Sequence, residues 1–228
     1  MTLSLDSLRL ERRGLCLLDR ASVVVEPGET LAVMGPSGAG KTTLLRTLAG
    51  HAPPSAGTVV RPPGPVAMVF QEPRLLPWRT ALANVELVLA PEQRHRAGEW
   101  LERVGLADTA HLFPAALSGG MRQRVSIARA LAFDSAAVLV DEPFSNLDAA
   151  TARRLRDLLT EQLRTLDRVV VWVTHDAVEA EEVARRTLVM EGPPSGAWRL
   201  RDRAPTTPSA AVARSDPPSP DLQIVSPR

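Results

Sequence analysis

The sequence lacks the features that mark secreted, membrane-spanning and nucleic-acid-binding chains. Its one cysteine, Cys16, excludes an internal disulfide and fits a reducing compartment. Its longest apolar runs, 136–140 and 169–173, are far shorter than the roughly 20 residues that cross a bilayer, and residues 1–10 lack the apolar core of a signal peptide. The net charge of +1 gives no general attraction to nucleic acids or anionic lipids. We therefore expect a soluble cytoplasmic protein with no nucleic-acid partner, which would reach a membrane only through another protein.

A glycine-rich stretch lies between a short apolar strand and a helical pattern, and it fits the phosphate-loop motif G-x-x-x-x-G-K-[ST]. Its residues are Gly35, Pro36, Ser37, Gly38, Ala39, Gly40, Lys41 and Thr42, followed by Thr43. Such a loop turns its N–H groups inward, and the helix adds its positive end. Lys41, the only lysine in the chain, would reach the β- and γ-phosphates, and the Thr42 hydroxyl would ligate Mg²⁺. A flexible glycine turn is the alternative, and the single lysine at the motif position argues against it.

Polar side chains follow three further apolar strands. Asp141 and Glu142 end the run 136–140, His175 follows 169–174, and Gln71 follows 65–70. Ligands bind at the carboxyl ends of such strands, so Asp141 is placed to hold Mg²⁺ and Glu142 to activate water. His175 could contact the γ-phosphate, and Gln71 could ligate Mg²⁺ or bind the water. Taken alone, each could equally be an ordinary solvated strand end.

A second candidate anion site lies at Ser118, Gly119 and Gly120, which open the helical pattern 119–132. A hydroxyl and unhindered backbone N–H groups at a helix start suit a phosphate. The chain has a single lysine, Lys41, and its glycine-rich loop is the first phosphate site. A second phosphate site without a lysine suggests that Ser118–Gly120 face the nucleotide bound by another copy. The alternative is a capped helix that uses glycine for close packing.

The alternation of short strands and helices predicts an α/β fold, a P-loop NTPase core with a mostly parallel sheet. The strand patterns 3–10 and 21–25 predict a small N-terminal antiparallel β subdomain. Helical patterns within 78–133 predict an inserted helical subdomain that carries Ser118. We expect the catalytic domain to span 1–203, and the Pro- and Ser-rich residues 204–228 to form a disordered tail.

Together these residues resemble the nucleotide-binding domain of the ATP-binding cassette (ABC) family, over about residues 3–191. The matching motifs are Walker A at Gly35–Thr42, the Q-loop at Gln71, an LSGGQ-type signature at Leu117–Gln123, Walker B at Val138–Glu142, the D-loop at Ser145–Asp148 and the switch histidine at His175. The resemblance implies ATP as substrate, Mg²⁺, and two cassettes that dimerise head to tail. Each ATP would lie between the Walker A loop of one chain and Ser118–Gly120 of the other. Glu142 would act as the base, His175 would hold the γ-phosphate, and Asp148 would belong to the nucleotide-binding set.

The segment 69–80, VFQEPRLLPWRT, is similar to importer cassettes of the nitrate, sulfonate and taurine group. This implies an ATPase subunit at the inner face of the cell membrane, energising solute uptake through a separate permease and, indirectly, a solute-binding protein. The permease would dock near Gln71–Thr80, with Trp78 and Leu76 as exposed anchors. Alternatively, both side chains pack inside the helical subdomain.

Other classes stay open as weaker alternatives. A soluble ABC ATPase acting on DNA or ribosomes would carry long coiled coils or two cassettes, and neither is seen in the sequence. An unrelated P-loop kinase or GTPase would lack the signature and His175. The family usually stacks adenine on an N-terminal aromatic residue, whereas this chain has no tyrosine and 9–18 holds no aromatic side chain. Either Arg12 or Arg13 stacks on the base through its guanidinium plane, or adenine is held loosely.

Overall fold

The computed structural model describes residues 2–144, 147–165 and 167–203, which form two sheets and the helices that pack on them. The strands are β1 (Leu3–Arg12), β2 (Leu15–Val25), β3 (Thr30–Met34), β4 (Ala56–Val60), β5 (Val66–Val69), β6 (Ala137–Asp141), β7 (Val169–Val173), β8 (Arg186–Gly192) and β9 (Ala197–Asp202). The helices are α1 (Lys41–Leu48), α2 (Ala81–Glu86), α3 (Ala97–Arg103), α4 (Gly119–Ala132), α5 (Ala149–Thr165) and α6 (Ala177–Val183). The predicted tail 204–228 and two residues of the predicted D-loop, Ser145 and Asn146, lie outside the described residues.

The larger sheet has the order β5-β6-β7-β3-β8-β9. Its first five strands run parallel, and β9 returns antiparallel to β8. The predicted mostly parallel α/β sheet is therefore confirmed. The chain enters the sheet near its middle, at β3, and later strands are added on both sides, which places several carboxyl strand ends side by side.

The central strands read as continuous apolar runs because both faces of the sheet are covered. In β6, Val138 and Val140 belong to the apolar core beneath α4 and α5, whereas Ala137 and Leu139 belong to the core on the opposite face. Successive strand residues point to opposite faces, so a five-residue strand contributes to both cores. This rigid centre fixes where each strand ends.

The smaller sheet is antiparallel, with the order β2-β1-β4. The predicted N-terminal antiparallel unit is present and gains β4 as a third strand. The alternating leucines and valines of β1 and β2 turn one face inward, where Leu8, Leu18 and Ala21 are fully buried. That face packs in the same core as α1, so the sheet lies beside the glycine-rich loop.

Helices α2, α3 and α4 pack on one another in the stretch between β5 and β6. The stretch 91–104, within the predicted helical region, is not one continuous α-helix, because Pro91–Arg96 forms a 3-10 turn before α3. No residue of that turn is buried, whereas Ala97, Trp100 and Leu101 of α3 are. Helices in proteins are stabilised mainly by packing of an apolar face, and the polar stretch has none to offer. Among the described residues, no helix is long and apolar enough to cross a membrane.

Candidate active site

The carboxyl ends of four neighbouring parallel strands lie side by side at one edge of the larger sheet. In the order β5-β6-β7-β3, the chain continues into Gln71, into Glu142 directly after Asp141, into His175, and into the glycine-rich loop. A cleft of about 380 Å³ at this edge is lined by loop and neighbouring residues: Arg12, Leu17, Ser37, Gly38, Ala39, Gly40, Lys41, Thr42, Thr43, Gln71 and Glu142. Open α/β sheets bind their ligands at such a crevice.

The loop between β3 and α1 has a backbone that suits glycine. Gly38 and Gly40 have φ of 81° and 100°, values that side-chain-bearing residues rarely adopt. A Cβ on Gly40 would lie 2.8 Å from the Cβ of Leu17 in β2. The loop is thus pressed against the antiparallel sheet, and α1 begins at the next residue. Because the first N–H groups of a helix have no acceptor within it, this end of α1 favours an anion in the cleft.

Lys41 lies in the first turn of α1 and is only 8% exposed. Its ammonium group donates hydrogen bonds to the carbonyl oxygens of Gly35, at 2.8 Å, and Pro36, at 3.2 Å. It also lies 3.5 Å from Oε1 of Glu142. A Cβ on Gly35 would lie 2.5 Å from the carbonyl oxygen of Met190, so this close arrangement requires glycine there. The arrangement fixes the chain's one lysine charge at the floor of the cleft.

Thr42 and Asp141 bring two oxygen ligands together from different elements. The Thr42 hydroxyl donates to Oδ2 of Asp141 at 3.3 Å. Burial raises the pKa of Asp141, the neighbouring Glu142 raises it further, and the Thr42 hydrogen bond and Lys41 oppose this. No group of three His, Cys, Asp or Glu side chains forms a metal site within the described ranges. One carboxylate and one hydroxyl suit Mg²⁺, which is held by few protein ligands together with substrate phosphates.

Glu142 and His175 form a pair at the ends of β6 and β7. Nδ1 of His175 lies 3.0 Å from Oε2 of Glu142. Glu142 has a φ of 42° and donates its backbone N–H to the carbonyl oxygen of Val173 at 3.1 Å. A left-handed backbone at a non-glycine residue costs about 1–2 kcal/mol, and here it turns the chain sharply after the strand. The pair can accept and hold a proton beside the lysine.

Gln71 lies on the wall of the cleft, and two side chains that the sequence analysis missed hold its neighbours. Gln123 of α4, 3% exposed, donates to the carbonyl oxygen of Phe70 at 3.1 Å. Arg129 of α4 donates to the carbonyl oxygens of Pro73 and Arg74, both at 3.0 Å. Burial lowers the pKa of Arg129. Helix α4 is thereby tied to the chain on both sides of Gln71.

Arg12, at the end of β1, lies on the wall of the cleft together with Leu17. Arg13 lies instead in the hairpin turn, with a φ of 52°. The Arg12 side chain is exposed and has no hydrogen-bond or ion-pair partner within the described part of the chain. A planar cation is therefore available at the open side of the phosphate loop, where no aromatic side chain lines the described wall.

The structure does not bring Ser118, Gly119, Gly120 or Asp148 to the lysine cleft of the same chain. The Ser118 hydroxyl accepts from the N–H of Met121 at 3.2 Å and caps α4. Asp148 accepts from the N–H of Thr151 at 3.0 Å, and this hydrogen bonding lowers the pKa of Asp148. Ser118 and Asp148 thus cap the N-terminal ends of α4 and α5, and neither lines the Lys41 cleft.

The segment after Gln71 exposes one of its two predicted anchors. Trp78 is 70% exposed, whereas Leu76 is half-buried, so the prediction of an exposed Leu76 is wrong. The reason is Asn84, fully buried in α2, which the sequence analysis missed. Its side-chain oxygen accepts from the N–H of Leu76 at 2.8 Å, and its amide donates to the carbonyl oxygens of Leu76, Arg79 and Thr80 at 3.2, 3.1 and 2.9 Å. Asn84 thus holds the loop in a shape that projects Trp78.

Comparisons with known proteins agree with this geometry. A family model described as ABC transporter matches residues 18–145. The aliphatic sulfonates import ATP-binding protein SsuB 1 of Pseudomonas fluorescens is 45% identical over 190 residues, covering 82% of this chain and 73% of that protein. The taurine import ATP-binding protein TauB of Yersinia pestis is 42% identical over 205 residues, covering 84% and 80%.

Among solved structures, the dimeric ATP-binding cassette MJ0796, bound to ADP and Pi in a post-hydrolysis state, superposes with a TM-score of 0.75 at 29% identity. The match covers 88% of this chain and 98% of that one. The family model spans more than half of the chain, and relatives above 40% identity span more than four fifths of it. The chain therefore belongs to the ABC transporter family, as one of its ATP-binding cassettes, which hydrolyse ATP.

Proposed function

We propose that this chain is the ATPase subunit of an importer and energises uptake of a small solute through a separate membrane permease. The observation that carries the ATPase part is a set of contacts at the carboxyl edge of the sheet, in which Lys41 lies beside Glu142, Glu142 beside His175, and Thr42 beside Asp141. The importer part is supported by relatives that are named for import of aliphatic sulfonates and taurine. Both kinds of cargo carry a sulfonate group, so we favour a small solute of the nitrate, sulfonate or taurine kind. The ATPase domain would span 1–203, with a helical subdomain at about 78–133.

The phosphates of ATP would be held by the loop Gly35–Thr42 and Thr43. Lys41 supplies the positive charge, and the N-terminal N–H groups of α1 add donors. Thr42, Asp141 and Gln71 would hold Mg²⁺, which when bound neutralises charge on the β- and γ-phosphates. Asp141 fits this role because its half-buried carboxylate lies beside the Thr42 hydroxyl and would gain a compensating cation.

Hydrolysis would use the Glu142–His175 pair. Glu142 would accept the proton of the attacking water as the new oxygen–phosphorus bond forms and ADP leaves. His175, 3.0 Å from Glu142, would orient that carboxylate and contact the γ-phosphate. Lys41, 3.5 Å from the other oxygen of Glu142, would place the charge that stabilises the transferring group.

The base of the nucleotide would lie against the wall formed by Arg12 and Leu17. A guanidinium plane can stack on any base, which would give weaker discrimination between adenine and guanine than a shaped pocket with specific hydrogen bonds. Nothing in the described wall offers such a set of donors and acceptors beside Arg12.

Two copies would complete each site head to tail. Ser118, Gly119, Gly120 and Asp148 do not line the lysine cleft of their own chain, and Ser118–Gly120 form a helix start suited to phosphate. In a head-to-tail homodimer these residues would close over the ATP held by Lys41 of the other copy. The dimeric cassette MJ0796, to which this chain is similar, supports the formation of a dimer.

The permease would dock near Gln71–Thr80, which would place the cassette at the cytoplasmic face of the membrane. Trp78 is the support for this surface, because large exposed aromatic side chains commonly anchor protein interfaces. A solute-binding protein would act on the permease from the other side. Nucleic acid has no role in this proposal.

The test is reconstitution of the full chain with permease and solute-binding protein in liposomes, with ATP turnover measured against taurine, an aliphatic sulfonate and nitrate. We expect turnover that rises only when permease and loaded binding protein are present. Trp78→Ala should lose this stimulation and keep basal turnover, whereas Val60→Ala, which removes another exposed apolar side chain, should keep both. The competing function, a soluble ABC ATPase, predicts stimulation by DNA or ribosomes instead, and that result would replace the importer proposal.

A further inference from the structure

Glu179 of α6 holds two side chains from the end of β7 with a single carboxylate. Its Oε1 accepts from the indole N–H of Trp172 at 3.0 Å, and its Oε2 accepts from the hydroxyl of Thr174 at 2.6 Å. Trp172 and Thr174 are each 1% exposed. Hydrogen bonds to a carboxylate are short and roughly twice as strong as neutral ones. Glu179 therefore fixes the residue before His175 relative to α6.

The same hydrogen bonds continue around His175. The Thr174 hydroxyl also accepts the backbone N–H of Asp176 at 3.1 Å, and the Thr174 N–H donates to the carbonyl oxygen of Val33 at 3.1 Å. The residues on both sides of His175 are thus secured. The His175 side chain itself is 65% exposed, and its one polar contact among the described residues is with Glu142. The position of His175 therefore depends more on the hydrogen bonds of the residues on either side of it than on contacts of its own ring.

The second residue that Glu179 holds, Trp172, contacts the segment that carries Glu142. Trp172 packs against the ring of Phe144, with centroids 5.9 Å apart and planes inclined by 50°. Phe144 lies two residues after Glu142, and the Glu142 N–H donates to the carbonyl oxygen of Val173. One carboxylate is thus connected through Thr174 to His175, and through Trp172 to the turn that carries Glu142.

We propose that Glu179 is a positioning residue for ATP hydrolysis, which sets the geometry of His175 relative to Glu142. The proposal rests on the function proposed above for these two residues. Glu179 touches neither of them, so it acts through the backbone on either side of His175. A displacement of about 1 Å at a reacting group can slow a reaction about 100-fold. A small shift of His175 after loss of a Glu179 hydrogen bond should therefore be measurable in kcat.

The experiment begins with Glu179→Gln in the full chain, with Glu181→Gln on the same helix as the matched control. The amide has a single oxygen, so one of the two donors loses its acceptor. We expect kcat to fall about 10- to 100-fold, with the Kd for ATP within about twofold of wild type because the phosphate loop is untouched. The control should match wild type. A purely structural role would instead lower Tm and weaken ATP binding together with kcat.

A double-mutant cycle with His175→Ala identifies the route of the effect. If Glu179 acts through His175, Glu179→Gln causes no further loss of kcat in the His175→Ala background. The inference is overturned by a wild-type kcat in Glu179→Gln, or by an equal loss in both backgrounds. Normal turnover in His175→Ala alone would overturn the proposed role of His175 as well, so the two failures are distinguishable.

Thr174 provides a second route if Glu179→Gln does not fold. Thr174→Ser keeps the hydroxyl that donates to Glu179 and accepts from Asp176, whereas Thr174→Val removes it at similar volume. We expect the serine variant to retain most of kcat and the valine variant to lose about 10-fold or more. Equal kcat in the two variants would overturn the inference.

Discussion

Removal of the Lys41 ammonium group should weaken ATP binding by a predictable amount. The group is 8% exposed and lies at the floor of the cleft, 2.8 and 3.2 Å from two loop carbonyl oxygens and 3.5 Å from Glu142. A hydrogen bond to a charged group contributes about 1.5–3 kcal/mol, and truncating one partner of a buried charged pair costs about 2–5 kcal/mol. For Lys41→Ala we expect a loss of about 3 kcal/mol, which is roughly 150-fold in Kd.

Isothermal titration of the full chain with ATP and Mg²⁺ measures this loss. Arg46→Ala is the matched control, since Arg46 is an exposed cation further along the same helix, and its variant should bind ATP as wild type does. Lys41→Arg should recover little of the lost ATP affinity, because a planar guanidinium does not replace a compact ammonium group at a buried position. ATP binding by Lys41→Ala within about twofold of wild type would show that the Lys41 ammonium group does not hold the phosphates.

Three further substitutions test other parts of the site. Asp141→Asn should raise the free energy of unfolding in the absence of nucleotide, because burial raises the pKa of Asp141 in the folded chain and the amide cannot ionise. The Asp141 carboxyl of the folded wild type therefore loses its proton at a higher pH than that of the unfolded chain. The free energy of unfolding of the wild type falls as pH rises from about 4 through the raised pKa. Urea titrations over this pH range should show a growing stability advantage of the variant. Gly40→Ala should lower the free energy of unfolding by about 2 kcal/mol or more, through backbone strain and overlap with Leu17. The control Gly98→Ala, in a helix with open space around it, should raise the free energy of unfolding by up to about 1 kcal/mol. Equal melting temperatures of the two variants would contradict this expectation. Arg12→Ala should weaken ATP and GTP alike by about fivefold and leave tripolyphosphate binding unchanged, whereas a loss that extends to tripolyphosphate would assign Arg12 to the phosphates.

The parts of the fold and site that follow from local pattern could be predicted from the sequence. Apolar runs buried on both faces mark β6 and β7, and the polar residues directly after them have to lie at the sheet edge. The glycine loop is equally local, because positive φ values at Gly38 and Gly40 are encoded by the residues themselves. The places of Lys41 and Glu142 in the fold therefore follow from local sequence features, without knowledge of their contacts.

Polar side chains that bond to groups outside their own helix could not be predicted in this way. Gln123, Asn84 and Glu179 lie in helical patterns, where a polar residue ordinarily faces water. Gln123 instead bonds to the carbonyl oxygen of Phe70, 53 positions away, and Asn84 and Glu179 bond to groups in the segments just before their helices. Helical periodicity does not indicate such partners. The half-burial of Leu76 has the same origin, since it depends on the hydrogen bonds of Asn84.

In the proposed mechanism, two copies of this chain close over ATP and Glu142 drives its hydrolysis. Glu142→Gln removes the base and its charge while keeping its shape, so ATP should bind without being consumed. Size-exclusion chromatography with light scattering, on this variant with excess ATP and Mg²⁺, measures the result directly. We expect a stable dimer that returns to monomer when ATP is removed, with turnover abolished. A monomer at saturating ATP that hydrolyses it at the wild-type rate would exclude both the shared site and the role of Glu142 as base.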